Sequence, residues 1–193
     1  MIRPANEKDV PEILAIYAPY ILNTTITFEY TVPSEAEFLA RFRAITEKFP
    51  WRVWEEEGAL LGYAYASAPF ERSAFGWCAE PSIYLRPEAR DRGIGTKLYA
   101  ALEEILRRQG FALSLAIITD ENTSSITFHR NRGYRYNTRM ENCGFKFGRW
   151  LGIVWMEKRL LPVEIPKESP ILWSRFGQDA QRIRDILDNL SLS

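Results

Sequence analysis

A short basic segment near the middle of the chain has the composition of an anion site. It consists of Arg90, Asp91, Arg92, Gly93, Ile94, Gly95 and Thr96. Two glycines allow a tight turn that brings backbone N–H groups close to a ligand. The helix that is expected to follow adds free N–H groups and the positive end of its dipole. Together with the two arginines, these groups predict that the segment binds a phosphate or a pyrophosphate.

Two well-known phosphate-binding motifs do not fit this segment. A dinucleotide-binding fingerprint needs a third glycine three residues after Gly95, where this chain has Leu98. A Walker A loop needs Gly-Lys-Ser/Thr after four spacer residues, which is also absent. What remains is Arg-x-x-Gly-x-Gly between a strand and a helix, either as an anion site or as a turn whose arginines are only solvated.

A second group of polar residues lies further along the chain. Asn122, Ser125 and His129 are spaced by three and four positions, so they share one face of the helix expected there. Such a face can hydrogen-bond an extended ligand that lies beside the helix. His129 is the only histidine. A single histidine is usually a packing or surface residue, but sharing a face with two other polar residues favours a functional role.

The third candidate is Glu80, which is surrounded in the sequence by apolar residues such as Cys78 and Ile83. Partial loss of hydration raises the pKa of a carboxylate and makes it a better base near neutral pH. The alternative is an exposed glutamate at the end of a strand. The next residue, Pro81, predicts a bulge or an interrupted ladder, because proline cannot donate to a neighbouring strand.

The hydrophobic periodicity predicts the elements that carry these residues. Strands are expected near residues 2–4, 51–54, 60–66, 78–85, 112–118, 134–142 and 150–158. Helices are expected to begin near Asn6 or Asp9, at Ser34, after the basic segment and near Asn122 or Thr123. This mixed order, with a strand–helix–strand unit in the middle, indicates an α/β fold.

The end of the chain differs from the part before it. Its prolines, at positions 162, 166 and 170, mark a break after the last strand. A short amphipathic helix is then expected, with its apolar face formed by Ile183, Ile186, Leu187 and Leu190. The simplest function of such a helix is to dock onto its own domain or onto a partner subunit.

Composition sets limits on what the protein binds. The chain has 193 residues, of which 46% are hydrophobic and 13% aromatic, as in a domain with a well-filled core. Its 25 basic and 25 acidic residues balance, so no general affinity for nucleic acid or for an anionic membrane is expected. Two cysteines, no signal-peptide pattern and no membrane-spanning run predict free thiols and a cytoplasmic location.

Taken together, these segments resemble the phosphinothricin acetyltransferase-like branch of the GNAT superfamily, over about residues 2–159. The resemblance rests on residues 19–28, 49–51, 79–85, the basic segment, 129–134 and the run Cys-Gly-Phe-Lys-Phe-Gly-Arg-Trp at 143–150. It implies the GNAT fold, an α/β fold with a mixed, mostly antiparallel sheet and helices on both faces. Residues 1–160 would then form the acetyltransferase domain, and 161–193 a C-terminal extension.

The resemblance implies transfer of an acetyl group from acetyl-CoA to the primary amine of a small amino-acid-like molecule. Glu80 would take a proton from the amine, and His129 would donate one to the departing thiolate or share the role of base. No metal and no covalent acyl-enzyme are implied. The residues implied to bind acetyl-CoA are Ile83, Tyr84, Leu85, Arg90, Asp91, Arg92, Gly93, Ile94, Gly95, Thr96, Asn122 and Ser125.

The acceptor is defined less sharply. Arg72 and Phe28 match residues that bind the substrate in this branch, and Arg72 suits an acidic group because a guanidinium can donate to two oxygens. Phe70 stands where the phosphinothricin enzymes have a lysine, which favours methionine sulfone or sulfoximine. A homodimer is compatible with the sequence. Two alternatives are a non-catalytic acyl-CoA-binding module and an acetyltransferase that acts on protein amines.

Overall fold

Alternating apolar residues build a seven-stranded sheet at the centre of the structure. A computed structural model describes residues 1–166 and 168–191; the side chain of Leu190, expected on the apolar face of the last helix, lies outside this description. The strands are β1 (Ile2–Pro4), β2 (Trp51–Glu56), β3 (Ala59–Ser67), β4 (Cys78–Leu85), β5 (Leu113–Thr119), β6 (Arg135–Lys146) and β7 (Arg149–Arg159). Their spatial order is β1-β2-β3-β4-β5-β7-β6, and only β4 and β5 pair in parallel.

Helices cover both faces of this sheet, as the resemblance implies. They are α1 (Val10–Asn23), α2 (Glu35–Lys48), α3 (Ile94–Gln109), α4 (Thr123–Asn131), α5 (Trp173–Phe176) and α6 (Ala180–Ser191). Ser34 caps α2 in a capping box with Glu37, as its sequence predicts. Gly110 ends α3 in the left-handed conformation, with φ at +99°.

The two faces of the sheet are packed differently. Helices α1 and α2 bury an aromatic layer that includes Trp51 and Tyr63. On the opposite face, α3 packs through Leu98 and Leu102 against alanines of β3 and β4, among them Ala64 and Ala79. Since alanine projects little beyond the backbone, α3 lies close to the strands from which the basic segment leads.

Helix α3 is buried on a second side by the end of the chain. Ile105 contacts a small apolar cluster made by Trp173, Phe176, Ile183 and Ile186. The amphipathic helix expected at the C-terminus is therefore present and packs on its own chain. The single turn of α5 is not predicted by the sequence, because four residues are too few for a periodic pattern. No helix in the described ranges has the length and apolar character needed to cross a bilayer.

Strand β6 runs four residues further than its hydrophobic pattern predicts. Its pairing with β7 slips between Met140 and Gly144, and Asn142 inside this slip has a φ of +52°. This bulge interrupts the alternation of side chains, so the sequence pattern stops at the bulge although the ladder resumes beyond it. The hairpin then turns at Phe147 and Gly148, with φ values of +50° and +74°.

One buried charge in the sheet has no hydrogen-bond partner among the described residues. Arg52 of β2 is fully buried, and none of its three guanidinium nitrogens finds an acceptor there. Burial lowers the pKa of Arg52 to about 10.

Because replacing a buried charge with an apolar side chain of similar volume is often neutral or stabilising, we expect Arg52→Met to preserve or increase the free energy of unfolding, by up to about 4 kcal/mol.

Urea denaturation of purified variants measures this. Arg132→Met is the matched control, because Arg132 forms an ion pair with the buried Glu103 and its loss should destabilise the protein. A loss of about 3 kcal/mol or more in Arg52→Met would mean that Arg52 has a buried acceptor after all.

Candidate active site

The sheet opens into a cleft between its two central strands. β4 and β5 pair only at Cys78 with Leu113 and at Ala79 with Ser114. Beyond Ala79 each strand continues with its other neighbour, β4 with β3 and β5 with β7. The backbone edges that face each other across the gap are therefore available to a ligand, because strand backbone groups need partners wherever they are shielded from water.

Pro81 stands at the point where the two strands separate. Its pairing with β3 is regular, and the register between β3 and β4 does not shift from Leu85 to Glu80. Of the two alternatives that Pro81 raises, the structure therefore shows an interrupted ladder, on the β5 side, and no bulge. Proline suits this position because its missing N–H is one donor fewer to satisfy along the open edge.

The backbone N–H and C=O groups of β4 point alternately toward β3 and toward the cleft. Arg86 N–H donates to Leu61 O, toward β3, whereas Leu85 N–H donates to the hydroxyl of Tyr20 at 3.2 Å. Since neighbouring residues of a strand point their N–H groups to opposite sides, Ile83 presents its N–H and C=O to the cleft, as Leu85 does. The Tyr20 hydroxyl also donates to Leu85 O at 2.5 Å.

Tyr20 is thus a residue of the site that sequence analysis missed. It belongs to α1, 65 positions away from Leu85, and no local pattern links the two. Ile83 and Leu85 are the two residues whose backbone is expected to bind the ligand. Because the Tyr20 hydroxyl already bonds to both the N–H and the C=O of Leu85, only Ile83 has these groups free. Tyr84, between them, packs its ring against Tyr17 and Tyr20, with ring centroids 4.8 and 5.1 Å apart.

The basic segment folds as a tight turn at the open end of β4. Asp91 and Gly93 have positive φ angles of 58° and 75°, and Gly93 is the residue before α3. A Cβ at Gly93 would meet no atom of the described chain within 4 Å, so this part of the turn is open to a ligand. At Gly95 a Cβ would lie 3.3 Å from a methyl group of Leu85, so this glycine also lets α3 pack against β4.

Positive charge is distributed unevenly around this turn. Arg92 donates to both oxygens of Glu56 at 2.9 Å, which compensates its charge. Arg90 instead contacts a neutral group, the Tyr20 hydroxyl, at 3.3 Å, and its guanidinium lies over the Tyr20 ring. The first turn of α3 carries no acidic residue. Arg90 and the N-terminus of α3 therefore supply the positive potential that an anion needs.

Two other predicted residues of this segment, Ile94 and Thr96, contact neighbouring parts of the protein. Ile94 is buried against α3's apolar neighbours. The backbone carbonyl of Thr96 accepts a hydrogen bond from Arg132 at 3.3 Å.

A cavity of about 70 Å³ lies in the cleft, where α4 faces β4 and β5. Its lining brings together five of the residues singled out in the sequence, namely Ile83, Tyr84, Asn122, Ser125 and His129. Asn122 also has a structural task, because its side-chain oxygen accepts from Ser125 N–H at 3.2 Å and caps α4. The prediction that three polar residues share one face of this helix is confirmed.

His129 lines the cavity, yet both of its ring nitrogens are engaged with the protein. Nδ1 lies 2.8 Å from the Ser125 carbonyl oxygen and must donate to it, because a carbonyl only accepts. Nε2 then accepts from the buried hydroxyl of Tyr99 at 2.8 Å. Burial lowers the pKa of His129, which favours this neutral form. The Ser125 hydroxyl lies 3.3 Å from Nδ1.

Glu80 lies on the α1–α2 face of β4, in the same row of the sheet as Ser67. Burial raises the pKa of its carboxyl group to about 7. A carboxyl group with this pKa is half ionised near neutral pH, where it can accept a proton efficiently. The partial desolvation predicted from the sequence is therefore present in the structure.

The two residues predicted to contact an acceptor molecule lie outside the cavity. Arg72 is exposed in the loop between β3 and β4. Phe28 is half-buried in the loop after α1, with its ring over Gly144. Phe70 stacks nearly parallel on Trp155, at 6.0 Å between ring centroids, and contacts Phe75 at 4.5 Å.

The sequence that builds this cleft matches a known protein family. The family model "Acetyltransferase (GNAT) domain" matches residues 2–155, which include the cleft, the basic turn and α4. The chain belongs to the GNAT acetyltransferases. The family and the fold predicted from the sequence are both confirmed, and with them the enzyme class, an acetyltransferase that uses acetyl-CoA as its co-substrate.

Individual relatives fall in the branch that the sequence resembles. A phosphinothricin N-acetyltransferase of Alcaligenes faecalis is 36% identical over 163 residues, 82% of this chain and 82% of the relative. An L-methionine sulfoximine/L-methionine sulfone acetyltransferase of Pseudomonas paraeruginosa is 38% identical over 83% of this chain and 95% of its own. The crystal structure of a phosphinothricin acetyltransferase from Sinorhizobium meliloti in complex with AcCoA superimposes with a TM-score of 0.85, at 39% identity, and covers 90% and 97% of the two chains.

The distribution of charge around the basic turn yields a test with a built-in control. We expect Arg90→Met to weaken acetyl-CoA binding by roughly ten- to hundredfold, the effect of losing one charge-assisted hydrogen bond. Arg92→Met should change it far less, because Glu56 already compensates Arg92. Isothermal titration calorimetry with acetyl-CoA compares the two variants. Equal losses in both, or a larger loss in Arg92→Met, would contradict this assignment.

Proposed function

We propose that this GNAT protein transfers an acetyl group from acetyl-CoA to the primary amine of a small amino-acid-like molecule, by direct attack in a ternary complex. The observation that carries the proposal is the position of Glu80, directly after the last β4–β5 pair at Ala79, where burial raises the pKa of its carboxyl group to about 7. The names of the relatives support the same class of acceptor, since they act on phosphinothricin and on methionine sulfoximine or sulfone.

Acetyl-CoA fits the groups that the site offers. Its pyrophosphate would lie at the N-terminus of α3, where Gly93 leaves the backbone open and Arg90 adds charge. Its pantetheine arm would pair with the free backbone groups of Ile83, as an added strand pairs with a sheet edge. The cavity of about 70 Å³ beside Asn122 and Ser125 has room for a group as small as the acetyl thioester.

Glu80 is the proposed general base. Its carboxylate, directly or through a water molecule, removes a proton from the ammonium group of the acceptor, so that the nitrogen regains its lone pair. The nitrogen then bonds to the thioester carbon, the carbon–sulfur bond breaks, and the sulfur leaves as a thiolate. The second proton that the nitrogen loses in becoming an amide balances the one that the thiolate takes up. A carboxylate whose pKa lies near 7 can hold this proton better than an ordinary one, whose pKa is near 4.3.

His129 is proposed to provide the proton for the departing thiolate or to share the role of base. In its resting hydrogen bonds, Nδ1–H points to the Ser125 carbonyl and Nε2 is occupied by Tyr99. The Ser125 hydroxyl lies close to Nδ1 and lines the same cavity, so it connects the imidazole to the place where the thiolate forms. Tyr99 holds the ring in place for either role.

For the acceptor we propose a neutral sulfone or sulfoximine amino acid in preference to phosphinothricin. Arg72, two residues after Phe70, supplies one guanidinium, but Phe70 itself is an aromatic ring stacked on Trp155. Phosphinothricin carries a negatively charged phosphinate group that the single guanidinium of Arg72 would not fully compensate. Burying an incompletely paired charge costs free energy.

We further propose that the enzyme acts in the cytoplasm, forms a homodimer, and consists of an acetyltransferase domain at 1–160 with an extension at 161–193. The free state of Cys78 and Cys143 supports the reducing compartment. Exposed aromatic residues on the β6–β7 hairpin, such as Phe147 and Trp150, support a second subunit. The packing of Trp173 and Phe176 on α3 supports an extension that covers its own domain.

The role of Glu80 is tested by the pH dependence of kcat/KM. Because the base must be ionised, the rate should rise as the pH passes upward through about 7 and level off above it. We expect Glu80→Gln to abolish this acidic limb and to lower the rate by roughly two orders of magnitude or more, with acetyl-CoA affinity unchanged. An intact limb at this pH, or near-normal turnover, in Glu80→Gln would contradict the assignment.

The acceptor is tested by steady-state kinetics on a panel of amines, with thiol release as the signal. Methionine sulfone should exceed phosphinothricin by roughly ten- to hundredfold in kcat/KM, and Phe70→Lys should reverse much of this preference. Phe75→Lys, which adds the same charge to the same aromatic cluster, should not. Equal efficiencies in the unmodified enzyme would refute the proposed acceptor, and activity confined to peptide amines would refute the class.

A further inference from the structure

The loop that carries Phe28 is held from outside by the tip of the β6–β7 hairpin. This acceptor loop comprises residues 24–30, and the hairpin tip comprises residues 144–149, most of the run Cys-Gly-Phe-Lys-Phe-Gly-Arg-Trp at 143–150 on which the resemblance rests. The two segments are more than a hundred positions apart in the chain. The acceptor loop has no regular secondary structure of its own, so its shape depends on such contacts.

Lys146 makes the most unusual of these contacts. It is only 2% exposed, and its Nζ donates to Thr24 O at 2.8 Å and to Thr27 O at 2.7 Å. Two carbonyl groups of one loop thus converge on a single amine. A lysine is rarely buried unless its nitrogen is paired, because a buried ammonium group without hydrogen-bond partners would cost its full desolvation free energy. The Lys146 nitrogen also lies over the Phe147 ring, 5.0 Å from its centroid.

Gly144 provides a second contact that depends on the residue type. A Cβ at this position would collide with the Phe28 ring, lying 2.7 Å from its Cδ2 atom and 2.9 Å from its Cζ atom. The absence of a side chain is therefore what lets the ring lie against β6. The hydroxyl of Tyr30 donates to Phe145 O, which fixes the far end of the same loop.

The near end of the loop is attached through the end of β5. Thr119 Oγ1 donates to Thr25 O at 2.5 Å, and the Thr25 hydroxyl donates to Glu121. Glu121 in turn forms two hydrogen bonds with Arg149 of the hairpin tip, at 2.7 and 2.8 Å. Contacts at both ends leave the loop little freedom around Phe28.

We propose that Lys146 is a positioning residue for the acceptor: it fixes the acceptor loop so that Phe28 stays in place at the acceptor site, with Gly144 making room for the ring. This inference rests on the proposed function, which assigns Phe28 to the acceptor. It gives the run at 143–150 a role in substrate binding, although this run is remote in sequence from the basic segment.

Lysine is required here by the number and direction of the acceptors. Its ammonium group offers three donors on a long stem, enough for both carbonyls at once. Methionine keeps nearly the same length and apolar stem but donates nothing, so Lys146→Met removes both hydrogen bonds without leaving a large cavity. Arginine at 146 is the conservative variant, since it retains donors that can reach the loop.

Two measurements on Lys146→Met test the proposal. Hydrogen exchange followed by mass spectrometry should show roughly tenfold or faster exchange in a peptide covering residues 24–30, because charged hydrogen bonds to the loop are lost. In kinetics, the KM for methionine sulfone should rise by roughly tenfold or more, while the KM for acetyl-CoA stays within about twofold. Lys146→Arg should recover much of the acceptor KM.

Arg135→Met is the matched control, because Arg135 is an exposed basic residue at the start of the same strand. It should change neither measurement. Gly144→Ala should raise the KM of the acceptor through the collision with Phe28, independently of any hydrogen bond. Unchanged exchange in the acceptor loop of Lys146→Met would overturn the inference, as would equal increases in both KM values.

The two proposals fail in different ways. If the unmodified protein acetylates none of the amino-acid acceptors, the proposed function is wrong, and the positioning role at the acceptor fails with it even if the exchange data show that Lys146 holds the loop. If the unmodified protein is active and Lys146→Met matches it in exchange and in kinetics, only the role of Lys146 is refuted.

Discussion

The separation of β4 from β5 is the constraint on which the rest of the site depends. A paired β4–β5 ladder would satisfy its own backbone and leave no cleft in the sheet. Two pairs at Cys78 and Ala79 join the halves of the sheet, and past them the backbone of β4 must find other partners. Pro81 removes one donor, Tyr20 serves both groups of Leu85, and Ile83 is left for a ligand.

The remaining features of the site lie where this opening places them. Because β4 ends at the open side of the cleft, the turn that follows it brings Gly93 and the N-terminus of α3 to the mouth. Because β5 is separated from β4, α4 can turn its polar face with Ser125 and His129 into the gap. Glu80 stands one residue past the last paired position, where burial raises its pKa.

Local sequence patterns predicted most of the fold and several of the residues that line the cleft. Strand alternation and the capping box at Ser34 are properties of a few neighbouring residues, and each appears where it is expected. The polar face of α4 follows from helical spacing alone. The bulge near Asn142 and the single turn of α5 escaped prediction because neither leaves a periodic pattern.

Contacts between distant segments could not be predicted in the same way. Tyr20 with Leu85, Tyr99 with His129 and Lys146 with the acceptor loop join residues 30 to 122 positions apart. A single sequence carries no sign of which remote group will satisfy a buried hydroxyl or amine. For His129, the spacing on α4 predicted its face correctly, while the occupation of both ring nitrogens depended on Tyr99 of another helix.

The central claim is that the open backbone edge of β4 receives the acetyl-CoA arm at Ile83. The most direct measurement is the hydrogen-exchange rate of the Ile83 amide, followed by NMR with and without saturating acetyl-CoA. The account predicts that this amide, which has no strand partner across the cleft, exchanges markedly more slowly in the complex. An Ile83 amide whose exchange is unaffected while acetyl-CoA is bound would contradict it.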